Sequence, residues 1–188
     1  MVNKFHAIIE LATAVETTNK DSIIKASKGL SINDIRETLR LLHLFFGFPK
    51  ILNALSHLDI PEDSKESPEK FSDTQDGEQF FISLHKEHAP KILAHLKKKD
   101  ALLRDWILHY AYKKVFSRNH FDISLRVRLA ILCLAKTDCW KQWESHSRNA
   151  LSMGISPEQL TNDMEIGKWL SDKQKDKGVR KISKLRKT

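Results

Sequence analysis

Apolar positions recur at spacings of three and four along nearly the whole chain. In SINDIRETLRLLHLFF, Ile32, Ile35, Leu39, Leu42 and Phe46 share one helical face. Ser31 is a good N-cap and Asp34 stands in the first turn, near the positive end of the helix dipole. Gly47 and Pro49 end this helix, and ILNALSHL restarts as a short one. Residues 60–77, IPEDSKESPEKFSDTQDG, are polar with two prolines and a glycine, the composition of a linker. From Gln79 the helical signal returns, and Leu102, Leu103, Trp106, Ile107, Tyr110 and Ala111 form an apolar stripe on one long helix. SRNHFD interrupts the pattern near residue 120. LRVRLAILCLAK is apolar enough for a central helix, CWKQWESHSRNALSMG is another closed by Gly154, and SPEQL opens the next. No period-two segment stands between turn signals, so the expected fold class is all-α.

Two stretches echo each other. KASKGLSINDI (25–35) and NALSMGISPEQL (149–160) pair Gly29 with Gly154, Ser31 with Ser156 and Ile35 with Leu160. Each glycine is expected to close a helix in a left-handed cap and each serine to start the next. The echo suggests two related helical halves with an insertion between them. The expected organisation is one all-α domain over residues 1–167, a two-repeat helical bundle. Its first half covers about 3–60, a linker 61–77 and its second half about 79–167, before a basic tail at 168–188.

A length of 188 residues fits one domain, and 40% apolar with 30% charged residues is ordinary for a soluble globular protein. No run approaches the twenty or so apolar residues that cross a bilayer, and no membrane partner is expected. The start, MVNKFHAIIE, lacks a signal-peptide layout because Glu10 interrupts its apolar run. Two cysteines, Cys133 and Cys139, do not make a disulfide framework, which points to a reduced, cytoplasmic setting. The net charge of +8 is concentrated at one end: nine basic residues stand against two acidic ones from Lys168 onward. The plain reading is a solvated, partly disordered terminus, and the sharper one a polyanion-binding arm. Trp169 is its one aromatic, which leaves sequence-specific nucleic-acid contact with little support.

DIRETLRLLHLFFGFPKILNAL resembles a stretch of the carboxymuconolactone decarboxylase family, with Glu37, Gly47 and Pro49 at its key positions. ESHSRNALSMGISPEQL is similar to the family's His-x-x-x-Ala-x-x-x-Gly-apolar-Ser/Thr-x-Glu stretch through His146, Ala150, Gly154, Ser156 and Glu158. WILHYAYKKVFSRNHFDISLRVRLAIL resembles the Trp/Tyr-rich helix and Arg-rich helix start of two-repeat members, so the likeness covers roughly 5–60 and 100–162. It implies an all-α, alkylhydroperoxidase D-like fold and a homo-oligomer (trimer, hexamer or dimer). The redox motif of that superfamily, Glu-x11-Cys-x-x-Cys-x-x-x-His, is half filled: Cys139 and His146 match, while Gln142 and Val127 stand where the second cysteine and the glutamate belong. In the first half Asp21 aligns with His146. Downstream, GKWLSDKQKDKG does not supply the second aromatic-Gly-x-Pro turn, and the basic tail begins where that turn is due.

Three chemistries follow. Acting on or binding a small organic acid needs cationic or hydrogen-bonding groups for the carboxylate and a positioned general acid. His146 is the candidate acid, with a core histidine as the plain alternative. Glu37 joins it as a site carboxylate or as a brace for the Gly-Phe-Pro turn. Arg126, Arg128 and Arg148 are the candidate carboxylate holders, or else ion-pair residues. An alkylhydroperoxidase- or peroxiredoxin-type antioxidant would use Cys139 as its thiol, although dithiol chemistry lacks its partner and Cys133 reads as core. Trp140 and Trp143 are expected to pack on a neighbouring helix or subunit. The third reading is a non-catalytic oligomeric scaffold whose tail contacts a polyanion. No cofactor is expected. His85 and His88 lack further ligands nearby, and no glycine-rich phosphate loop occurs.

Overall fold

The computed structural model describes residues 4–62 and 76–185, and every regular element among them is helical. In chain order these are α1 (Lys4–Thr17), α2 (Lys20–Ser27), α3 (Ile32–Leu55), α4 (Gly77–His85), a 3-10 turn (Lys86–His88), α5 (Ala89–Lys99), α6 (Ala101–Trp106) continuing as a π-helix (Ile107–Phe116), α7 (Ile123–Lys136), α8 (Trp140–Ser152), α9 (Pro157–Ile166) and α10 (Asp172–Leu185). The chain forms two compact units where the sequence suggested one domain. Unit one is Met1–Ile60 with His120–Thr188, and unit two is Pro61–Asn119. Most of the linker expected at 61–77 lies outside the described residues.

Unit one is organised around α1 and α7. α1 buries eight residues along its length, among them Ile8, Leu11 and Val15. α7 buries nine of its fourteen residues, from Arg126 to Ala135, which makes it the central helix its composition announced. Each fully buried leucine or isoleucine here contributes about 1.5–3 kcal/mol. Capping fixes where the helices begin. Ser31 accepts from the Asp34 amide while the Asp34 carboxylate accepts from the Ser31 amide, a reciprocal box. Ser156 accepts from the Gln159 amide, and Asp122 from the Leu125 amide. Gly47, at φ 76°, breaks α3 in a conformation open to glycine. Pro49 then falls in the first turn of the restarted segment, where no amide donor is required. The break aims Phe46 edge-on at Trp169 with ring centroids 5.6 Å apart, and Lys50 reaches Glu16 of α1 at 3.2 Å.

Three helices of this unit meet at one ion pair. Arg128 on α7 donates from Nε and Nη2 to the two carboxylate oxygens of Asp163 on α9, both at 2.6 Å. Asp163 is 1% exposed, and Gln159 also donates to it at 3.0 Å. The Arg128 guanidinium lies 3.8 Å from the Phe5 ring centroid of α1.

From Asp172 to Leu185 the basic end is a helix, which corrects the expectation of a disordered terminus over these residues. α10 buries Gly178 and Ile182, and a Cβ at Gly178 would come within 2.4 Å of Met164 of α9. Lys175 donates to the Glu165 carbonyl at 3.0 Å, Lys181 to Glu144 at 3.1 Å and Gln174 to the Lys136 carbonyl at 3.1 Å. The lysines read as a charge run are in part the polar face of an amphipathic helix whose narrow apolar edge is docked.

Unit two has its own core of Phe81, Leu84, Leu93, Leu108, Tyr112, Val115 and Phe116. His85 Nε2 lies 2.9 Å from the Tyr112 hydroxyl inside it. α4 meets the π-helix at backbone distance: a Cβ on Gly77 would fall 2.0 Å from the Leu108 carbonyl oxygen. The long helix expected over this region widens to π at Ile107. An apolar stripe ordinarily faces a core, but here Leu102, Leu103, Trp106 and Tyr110 are exposed, and the buried side is the one carrying Leu108 and Tyr112.

Removing one partner of a buried ion pair leaves the other charge uncompensated, at a cost of about 3–5 kcal/mol. Asp163→Ala is therefore expected to lower the unfolding free energy by about that amount in denaturant titration. An Arg128→Met/Asp163→Leu double variant should recover most of it. A loss under about 1 kcal/mol for the single variant would deny the pair its structural role.

Candidate functional site

The six residues singled out from the sequence do not converge on one cleft. Glu37 is buried at 7% exposure and accepts from Arg40 Nη1 at 2.6 Å, one turn further along α3. His43 bonds the Arg40 carbonyl and stacks on Phe48 with centroids 5.0 Å apart. Arg126 is buried near the start of α7, its Nε 3.5 Å from the Asp122 carbonyl. Arg128 is committed to Asp163, which corrects its assignment as a carboxylate holder: the Nε and Nη2 edge of the guanidinium is filled from within the chain. Arg148 lies on the surface and donates to Glu144 at 2.5 Å, one turn back on α8, so it is a surface ion-pair residue.

α8 separates the two matching positions of the redox motif. Cys139 is exposed at the N-cap, its Sγ 3.6 Å from the Thr137 carbonyl. His146 lies two turns away, roughly 10 Å along the axis, on the buried face with Trp143, Ser147 and Ala150. Cys133 is fully buried in α7, and burial pushes its thiol well above the usual range. The described residues thus offer one accessible thiol and no resolving partner. Trp143 is fully buried, as expected of it, whereas Trp140 sits at the surface under the Lys177 ammonium, 4.4 Å from its ring centroid.

Burial brings the His146 imidazole down to about 4. At neutral pH the ring is uncharged, and a general acid must hold its proton at the working pH. The acid role assigned to His146 from the sequence therefore does not fit its surroundings.

A groove of the described residues lies elsewhere in unit one. It holds about 580 Å³ between α1, α2 and the end of α9, and none of the six candidates lines it. Ile9, Ala14, Ala26 and Ile166 make its apolar wall. Its polar groups include His6, Lys25 and Lys168, with Glu10 and Glu165 opposing them. Lys168 spans 3.4 Å to Glu10, while Lys25 pairs with no carboxylate among the described residues. A usable signal for this groove existed in the sequence. His6, Ile9, Glu10, Thr13, Ala14 and Thr17 recur at three and four on α1, a mixed polar and apolar face beside the fully apolar one.

His146 gives the fold a pH dependence of definite sign. The unfolded ring takes a proton near 6.5, whereas the folded one stays neutral down to about 4. The unfolded state binds more protons in that window, so stability is full above pH 6.5 and falls as pH drops towards 4, by about 3 kcal/mol. His43, lowered by burial against the opposing effect of its bond to the Arg40 carbonyl, acts in the same direction. Unfolding free energies measured across this range should show the slope, and His146→Gln should flatten most of it. An unchanged slope in the variant would mean that His146 is protonated in the folded protein.

No family model matches the chain, and no solved structure matches it. The chain is similar to Peroxisomal protein 2 of Schizosaccharomyces pombe, at 26% identity over 145 residues that span 73% of this chain and 68% of that protein.

Proposed function

We propose that this protein binds a small organic acid in the groove between α1, α2 and the end of α9, and that it does so without a thiol redox centre. The observation that carries the reading is the groove itself. Its volume of about 580 Å³ suits a small ligand, and it joins an apolar wall to a lysine that no carboxylate of the described chain occupies. A ligand carboxylate would lie against Lys25, with His6 and the Thr13 and Thr17 hydroxyl oxygens within the same wall. Both hydroxyls already donate to carbonyls of α1, so they would meet a ligand as acceptors.

The resemblance to carboxymuconolactone decarboxylases belongs to this reading, and so do two related helical halves. Supporting it, α1–α2–α3 and α7–α8–α9 run in the same order within unit one. Thr18 and Asp138, both at φ 55°, precede α2 and α8, and Ser31 and Ser156 cap α3 and α9 in the same way. One departure stands against it: Gly154 is left-handed at φ 87°, whereas Gly29 is not.

Ligand-detected NMR with a panel of small mono- and dicarboxylic acids tests the binding reading. At least one acid is expected to bind, and Lys25→Gln should weaken it by about tenfold, the loss of one charge-assisted bond. Cys139→Ser should leave that binding unchanged. Peroxide turnover with a dithiol reductant that vanishes in Cys139→Ser would instead assign the protein a one-cysteine peroxidase role.

A further inference from the structure

Unit two turns outward an apolar row that its own core does not use. Leu102 is 61% exposed, Leu103 46%, Trp106 62% and Tyr110 40%. Positions 102, 106 and 110 are four apart and follow one side of α6 and its π continuation. Just before the row, α5 ends in Lys97, Lys98 and Lys99, all exposed and none paired with a carboxylate among the described residues. The next step of four beyond Tyr110 is Lys114, also exposed. The row is thus apolar, with the cationic cluster of Lys97, Lys98 and Lys99 at its start. Two acids beside the row are engaged within the chain: Asp100 caps α6 by accepting from the Leu103 amide at 2.9 Å, and Asp105 pairs with Arg104 at 2.9 Å.

We propose that this face of unit two docks on an anionic phospholipid surface, with Leu102 and Trp106 at the boundary of headgroups and acyl chains and the lysines among the headgroup phosphates. Tryptophan and tyrosine favour that boundary because they join an apolar ring to a polar N–H or O–H. Contiguous exposed apolar side chains mark a contact surface rather than ordinary exposure. Three consecutive lysines beside them match a negatively charged plane.

A second copy of the chain fits the row less well. Parallel pairing of two copies sets Lys97, Lys98 and Lys99 each against its own counterpart. The exposed area, on the order of 400 Å², is about half of what each partner commonly buries in a stable complex. The expectation of no membrane partner rested on the lack of a spanning run. No helix among the described residues is long and apolar enough to cross a bilayer, and surface attachment needs none. This surface belongs to unit two and is independent of the acid groove, which belongs to unit one.

Flotation of the full chain with vesicles is the test. Vesicles of phosphatidylcholine mixed with phosphatidylserine should carry the protein, less so as salt rises, and phosphatidylcholine alone should not. Trp106→Ser should weaken the partitioning at least about tenfold through lost apolar burial. The triple variant Lys97→Gln/Lys98→Gln/Lys99→Gln should weaken it about a hundredfold, near fivefold per lysine. All four side chains are exposed, so circular dichroism should show both variants folded. The proposal fails if the unmodified protein stays unbound to phosphatidylserine vesicles, or if neither variant changes the binding. It fails too if sedimentation reveals a dimer that Trp106→Ser dissolves, which would assign the face to a second copy.

Discussion

The contact of Arg128 with Asp163 and Phe5 is the constraint on which unit one depends. One guanidinium fills both oxygens of a carboxylate that is 1% exposed and lies 3.8 Å from an aromatic ring centroid, so α1, α7 and α9 share a single fixed point. A buried ion pair is not in itself a strong source of stability, because desolvation offsets much of the attraction. Its effect is on specificity: an arrangement of these helices that separates the partners leaves two charges in an apolar interior.

Most of the candidate side chains are likewise engaged within the chain and not around one cleft. An interior helix such as α7 carries arginines at cost, and both find partners within unit one: Arg126 at the Asp122 carbonyl on its own helix start and Arg128 at Asp163 of α9. Glu37 is met by Arg40 on its own helix, and His146 is held neutral by burial. Polar groups placed this deep stabilise a particular packing, whereas ligand chemistry needs access to solvent. Access exists where α1 and α2 diverge from the end of α9, and there the side chains are smaller and more mixed in character.

The two units solve the same problem differently. Unit one encloses its helices so fully that α7 is buried on almost all sides. Unit two wraps a small aromatic core around Tyr112, whose hydroxyl meets His85 and whose proton burial holds well above the ordinary range. With so few helices it cannot cover every apolar side chain, and most of the exposed ones among the described residues, Leu102, Leu103, Trp106 and Tyr110, lie on α6 and the π-helix. A small core leaves more surface per residue, but it does not require that the remainder be a tryptophan beside three lysines.

The sequence by itself determined the helices, their caps and their breaks. Ser31, Asp122 and Ser156 act through bonds to residues a few positions away, and Gly47, Pro49 and Gly154 through their own backbone, so such rules can be read locally. It also determined that α7 is central, since no face of LRVRLAILCLAK is polar enough for water except at the two arginines and the terminal lysine. The tertiary structure alone decided what Arg128 touches, since Asp163 is thirty-five positions away. It decided that the basic terminus folds, because Gly178 and Ile182 become an apolar edge only when α9 is beside them. It also decided that Cys139 and His146, seven residues apart on one helix, fall in solvent and in the core respectively. Spacing along a chain states which residues share a helical face; what covers that face depends on partners distant in sequence.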